Sequence, residues 1–562
     1  MGFQELVEAG HFDLATNSWV SLPRNAAGET VPIQIGIFRG DANNNPALYA
    51  GDYVISWEGD GAVDFAFGAR GLVRRITSNR IETTFTVQDS RWSGLRITEI
   101  NGGGVRNVQA FRLDEEDQLN AGQVWSSHWL DFISGYEVVR FMDIALTNDS
   151  RIRKASQIAL ESDIYWNAST NAVMPSERRR GFPIELKLRA CVQTGCIAWI
   201  NMPAMMGAPD VFDTADYIEQ ISANGTNFLR DRASAHTDEI IASNEVRRWA
   251  NRVVAALDAE NYPVDRPVYL EVGNEIWNFG GPFARATHFM WGLTQGLGLD
   301  GSQPGLPATE VRGGYGYMSA KLAHEFERAL AAAGRSQEFK IVIGTHTAFV
   351  ERTGWALEGA AHYFSQNSLT QNDWMSKLSV ATTSYYNGGF HFRSPQGDIA
   401  QDMFDVGDKA RWLANWRSRL NAGASRFSAF ITNHILNGPS TVNGTKAWIV
   451  DRTRRHKEIA AEFGAGYLGQ YEGGSHDTLD RALRSDSQAL QFYQNFRQGD
   501  DAARIQREIY EALIEESPGA IISDFTRFCS NANDPATPWC EQTGLASTPL
   551  TRTLDSFTIP NN

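Results

Sequence analysis

The run Val268-Tyr-Leu-Glu-Val-Gly-Asn-Glu275 decides the fold. Four of its first five residues are apolar, and a glycine then hands the chain to Asn274-Glu275 and Ile276-Trp-Asn278. A compact apolar run bounded by such a break reads as a buried strand. Helical patterns flank it: EVRRWANRVVAALDAEN (245–261) before, and MSAKLAHEFERALAAAG (318–334) after, ending on glycine. The alternation continues outward. Further strand-like runs are VRNVQAF (105–111), VVRFMD (138–143), IAWINMP (197–203), FKIVIGT (339–345), LSVATTSYY (378–386), GYLGQYE (466–472) and AIISDFT (520–526). With 268–275 they make eight. Pro183 opens one intervening helix, and Asp213 caps another that stops at Gly225. Eight strands alternating with helices predict an α/β fold, a (β/α)8 TIM barrel over residues 104–562. That span exceeds the typical ~250 residues of the fold, so large loops are expected, the Gly-rich stretch 279–315 among them.

The first hundred residues have another rhythm. Short alternating runs recur at 32–39, 52–59, 61–68, 81–88 and 95–102, separated by turn clusters such as Asp41-Ala-Asn-Asn-Asn-Pro46. They predict an all-β, sandwich-like domain over residues 1–103, with Gly102-Gly-Gly104 as a turn.

Composition bounds the function. The chain has 562 residues, 66 acidic and 51 basic, for a formal charge of −15. An acidic protein is repelled by nucleic acid and by anionic membranes, which removes both as general partners. No apolar run approaches the roughly 18 residues needed to span a bilayer, and MGFQELVEAGHFDL shows no signal peptide. The four cysteines fall in two close pairs, Cys191 with Cys196 and Cys529 with Cys540. The pairs read as two local disulfides and an extracellular or periplasmic setting, ahead of four reduced thiols in a cytoplasmic one. The 16 Trp, 16 Tyr and 30 Phe either fill a core or line a groove for sugars.

In a barrel of this kind the chemistry sits at the C-terminal ends of the strands. The fourth predicted strand ends in Asn274-Glu275 and the seventh in Tyr471-Glu472. Two carboxyl groups facing each other across a barrel mouth suit glycosidic bond hydrolysis, which needs one protonated and one ionised. The pattern resembles clan A of the retaining β-glycoside hydrolases. GNEIWN, with Arg140-Phe-Met-Asp143, is also similar to a bacterial subgroup that reads SNEVWN. The resemblance implies that Glu275 is the acid/base, Glu472 the nucleophile, and Asn274 a ligand of the sugar 2-hydroxyl. It implies that Arg140 holds the nucleophile ionised, and that Tyr385 or Tyr386 bonds to it. Strand alternation leaves that choice of tyrosine open. Glu271, on the same strand, reads as a buried, paired structural carboxylate.

Other candidates are weaker. His346 ends the fifth strand, His476 follows the seventh, and Asp143 and Asn148 follow the second; each is as much a structural as a sugar-contacting residue. Trp166, Trp277, Trp355 and Trp539 lie where aromatic platforms form, against core packing as the plainer role. Arg178-Arg179-Arg180 is a solvated loop before it is an anion grip. No HExxH, Walker A or strand-to-helix GxGxxG is present, so no metal or nucleotide cofactor is expected. The sequence thus points to a poly- or oligosaccharide as partner and to retaining hydrolysis, with a non-catalytic sugar-binding barrel as the alternative.

Overall fold

The computed structural model describes residues 6, 9–13, 15–16, 18–38, 51–66, 73–85, 93–163, 179–212, 227–383, 391–394, 403–474, 478–523, 526–528 and 540–542. The chain divides into two compact units, Met1–Trp129 with Thr526–Thr548, and Leu130–Phe525 with Pro549–Asn562.

The first unit carries one seven-stranded antiparallel sheet. Its strands are β1 (Phe12–Asp13), β2 (Ser18–Trp19), β3 (Ile33–Phe38), β4 (Gly51–Ala66), β5 (Arg74–Thr77), β6 (Arg80–Phe85) and β7 (Ser93–Arg112). The order is β1-β2-β7-β4-β6-β5, with β3 also on β7. Two expectations change here. The runs 52–59 and 61–68 are one strand, and 95–102 joins 105–111 in another. Gly102-Gly-Gly104 is therefore no turn. A Cβ on Gly59 would lie 2.1 Å from the Gly104 carbonyl oxygen, so β4 and β7 pass each other on glycine. Register shifts at Gly59/Gly61 mark the same place; such bulges bend strands without ending them. The expected break at 103/104 consequently falls inside β7, and 105–111 is not the first strand of the barrel. Trp19, Tyr53, Ile55, Trp57, Phe65, Ile97 and Val105 form the buried face of this bent sheet. A short parallel pair, β15 (Thr526–Phe528) with β16 (Cys540–Gln542), accompanies it.

The second unit holds a parallel, barrel-like sheet of seven strands. They are β8 (Val138–Arg140), β9 (Ile197–Met202), β10 (Val268–Val272), β11 (Phe339–His346), β12 (Leu378–Thr383), β13 (Gly466–Glu472) and β14 (Ile521–Ile522), adjacent in chain order. No ladder closes β14 onto β8 among the described residues. Helices follow each strand but the last. Glu245–Ala259 and the stretch from 318 to the left-handed Gly334 are helical as expected. The segment from Asp213 to Gly225 lies outside the described residues from Asp213 onward.

The Gly-rich stretch 279–315 is not a loop throughout. It contains the helix Ala284–Gly296, and the next helix already starts at Arg312. Several of its glycines serve helix contact. A Cβ on Gly292 would fall 2.0 Å from the Arg230 carbonyl oxygen in the neighbouring helix Asn227–Ala235, so the two backbones touch. Composition alone does not separate such glycines from loop glycines.

Much of the aromatic stock is core. Trp199, Trp249, Trp412 and Trp416 are fully buried. Trp412, Trp416, Phe427 and Phe492 belong to one cluster built by the helices that follow β12 and β13. Cys191 and Cys196 are both buried, with sulfurs 2.9 Å apart and reduced. A disulfide needs about 2.05 Å, so the expected bond is here a contact. Gly195, left-handed at φ +83°, turns the chain from helix Ile184–Thr194 into β9 and brings the two sulfurs together. Cys529 lies outside the described residues. Among the described residues no helix is long and apolar enough to cross a membrane.

Candidate active site

With 105–111 reassigned, Glu275 follows the third strand of the parallel sheet and Glu472 ends the sixth. Three ladder steps still separate them, β10 to β11 to β12 to β13. The site is built from what these strand ends do.

β10 stops at Val272. Gly273 (φ +66°) and Glu275 (φ +46°) both adopt the left-handed conformation. Glycine accepts it freely; for a glutamate it costs on the order of 1 kcal/mol and is worth a functional explanation. Asn201 on β9 holds the bend by donating to the Gly273 carbonyl at 2.8 Å. Glu275 is thereby turned inward, and Asn278 Nδ2 donates to its Oε2 at 2.7 Å.

Glu472 is 1% exposed, and no donor among the described residues reaches either of its oxygens. Its polar neighbour is the Glu275 carboxyl. Burial without donors, then the Glu275 carboxyl beside it, pushes Glu472 well above the usual carboxyl range.

Arg140 corrects an expectation. Its Nε and Nη2 donate to Glu271 Oε2 at 3.0 and 2.8 Å, and Nη2 also donates to Asn274 Oδ1 at 2.7 Å. Its positive field still favours ionised Glu472, but burial outweighs it. The reason is reach: along the sheet Glu271 on β10 lies two strands from β8 and Glu472 on β13 five, and the Glu271 pocket also supplies Trp199 Nε1 at 3.0 Å and Asn201 Nδ2 at 2.8 Å. Glu271 is thus the buried, paired carboxylate its strand position suggested. Burial raises its pKa despite these donors.

The structure gathers several further candidates. Asn274, 2% exposed, is fixed between Arg140 and Asn148, donating to Asn148 Oδ1 at 3.0 Å. Trp277 Nε1 donates to the Tyr471 hydroxyl at 2.8 Å. His346 meets the Trp277 ring edge-on at 4.4 Å, and its Nδ1 accepts from the Ala348 amide. Tyr385, Tyr386, His476, Trp539 and Trp166 lie outside the described residues, as do Glu177 and Arg178. Trp355 is half-buried in helix Glu351–Gln366. Arg179 pairs with Asp163 at 2.5 Å and Arg180 is buried, so neither offers a free guanidinium group.

Sequence reasoning missed Tyr471. Strict alternation sends it away from Glu472, yet both are buried. The β12–β13 ladder shifts register twice, between Val380 and Ala381 and between Thr382 and Thr383, which breaks the alternation. Tyr471 stacks under Arg140, whose guanidinium carbon sits 4.7 Å from its ring centroid. The signal was present only as the adjacency of Tyr471 and Glu472. Gly344 on β11 gives the site its room: a Cβ there would lie 2.9 Å from Glu271 Oε1.

No family model matches the chain, and no curated protein or solved structure matches it.

Proposed function

We propose that the chain is a retaining glycoside hydrolase on a (β/α)8-type scaffold, acting on the β-linkages of a poly- or oligosaccharide. The observation that carries this reading is a carboxyl pair at the strand ends, the buried Glu472 with Glu275 beside it. The separation of such a pair sets the stereochemical outcome. Retaining enzymes hold their carboxyl groups about 5–5.5 Å apart, whereas inverting ones need roughly 6.5–9.5 Å for an intervening water.

The proposed steps follow from the proton. With a sugar bound between the two groups, Glu275 in its protonated form gives its proton to the leaving oxygen. Glu472, now ionised in the field of Arg140, attacks the anomeric carbon with lone pairs that no donor occupies. Glu275 then takes a proton from water as that water releases the glycosyl group from Glu472. Asn274, pinned by Arg140 and Asn148, is positioned for the 2-hydroxyl.

Mass spectrometry after incubation with a 2-fluoro glycoside tests the reading. The expected result is a glycosyl adduct on the peptide carrying Glu472, and loss of hydrolysis by orders of magnitude in Glu275→Gln and in Glu472→Gln. Hydrolysis without an adduct, or near-wild-type turnover in either variant, refutes the assignment. Binding of sugar with neither adduct nor turnover would establish the non-catalytic alternative.

A further inference from the structure

Beyond the carboxyl pair, two arginines stand out by what they lack. Arg312 is 3% exposed. Its Nη2 donates to the Trp277 carbonyl at 3.1 Å, which ties it two residues past Glu275. Its Nε and Nη1 are buried and make no hydrogen bond. The nearest carboxylate, Glu310, is 4.0 Å from Nη1 and itself 57% exposed. Arg352 stands close by, with its guanidinium carbon 3.7 Å from the centroid of the Phe349 ring and its Nε likewise buried and unbonded. Burial first, then Arg352, brings Arg312 down to about 10, and burial brings Arg352 down against the pull of Glu310 and Glu351.

A chain of ring contacts joins both arginines to the site. Phe349 packs on His346 at 5.0 Å, and His346 meets Trp277 at 4.4 Å. Arg312 also lies over Phe279, 5.9 Å from its centroid. Phe279 and Phe349 are 43% and 38% exposed, so apolar faces open to solvent beside the two guanidinium groups. Both arginines lie in the first turns of long helices, Arg312–Ala333 and Glu351–Gln366, whose dipoles add positive potential there.

Buried donors without acceptors cost about 1–3 kcal/mol each, and two adjacent cations repel. An anion bound between them would relieve both. Planar guanidinium forks match the oxygen pairs of carboxylates and of sulfate esters, and exposed aromatic rings suit sugar faces. We propose that Arg312 and Arg352 form a subsite beside the carboxyl pair for an anionic substituent on the sugar chain, a carboxylate or a sulfate ester. The substrate is then an acidic saccharide, which an overall charge of −15 would otherwise repel. The inference deepens the hydrolase reading and rests on it for the identity of the ligand.

The test reads binding rather than turnover, so its outcome is separate from that of the adduct experiment. The full chain is titrated calorimetrically with sodium sulfate, sodium glucuronate and glucose at constant ionic strength. The two anions should bind and glucose should bind more weakly. Arg352→Gln and Arg312→Gln should each weaken anion binding by about tenfold or more. Arg352 is half-buried, so its variant remains informative if Arg312→Gln fails to fold. Tighter sulfate than glucuronate assigns a sulfated sugar, and the reverse a uronate. No anion binding up to about 50 mM, or equal binding in Arg352→Gln, overturns the proposal, even where the glycosyl adduct forms.

Discussion

Replacing Arg140 by methionine keeps much of the unbranched stem of the side chain and removes its charge. Arg140 is 10% exposed and Glu271 is 1% exposed. The substitution deletes two charge-assisted bonds to Glu271 and one to Asn274. It also removes a cation from over the Trp199 and Tyr471 rings. Stripping one partner from a buried ion pair costs about 3–5 kcal/mol, because the other charge is left uncompensated. Glu271 keeps Trp199 and Asn201 as donors, which places the loss near the lower end, about 3 kcal/mol. At roughly 2 °C per kcal/mol for a large domain, the unfolding temperature should fall by about 6 °C at neutral pH. Thermal scans followed by near-ultraviolet circular dichroism measure this. Lowering the pH should shrink the deficit, since the orphaned Glu271 then takes up a proton. Adding Glu271→Gln to Arg140→Met should recover at least half of it, because no buried charge remains. A single variant that melts within about 1 °C of the wild type refutes the reasoning, as does a double variant no better than the single.

Two further predictions follow from the packing and the protonation of the site. The raised pKa of Glu472 means the folded chain binds more protons than the unfolded one, so the stability this group contributes is full below pH 4.5 and is lost as pH rises through the folded value. Glu472→Gln should accordingly melt above the wild type at pH 8 and converge with it below pH 4.5; parallel melting curves across pH would contradict the upward shift of Glu472. Gly316→Ala puts a methyl group 1.7 Å from the Ala356 carbonyl oxygen and should cost more than the usual ~1–3 kcal/mol of overpacking. Gly407→Ala, which meets nothing within 4 Å, is the control and should stay within about 0.5 kcal/mol of neutral.

The parallel sheet was readable because its strands are short apolar runs bounded by glycine and by helices with clear periodicity. Six of those runs recur as strands on the sheet, five at or inside the expected bounds and β11 one residue beyond them at His346, and 520–526 contributes Ile521–Ile522 among the described residues. What escaped was context. The run 105–111 has the composition of a barrel strand, yet its partners are β2 and β4, and pairing partners are a tertiary property. The glycines of 279–315 looked like loop residues because sequence records their missing side chain and not the helix pressed against it. Glu275, Glu472, Asn274, Trp277 and His346, singled out for their places at strand ends, come together in the structure. The partner of Arg140 was not legible, since Glu271 and Glu472 are both carboxylates within the reach of a long side chain. Only the donor set around Glu271 decides between them. Arg312 and Arg352 were invisible for the converse reason: what marks them is buried nitrogens without a hydrogen bond, which no spacing encodes.

The two carboxyl groups stand three strands apart, and adjacent strands are spaced about 4.8 Å, so on a flat sheet they would be some 14 Å from each other. They come close because the sheet curls. The gap between them is therefore a gauge of curvature, read at the rim and set by packing far below it. Whatever wedges the interior strands apart, a methyl group at Gly344 for instance, widens that gap with both glutamates intact. Small adjustments along β11 and β12 are then a means of choosing how much room a reacting sugar and its water are given.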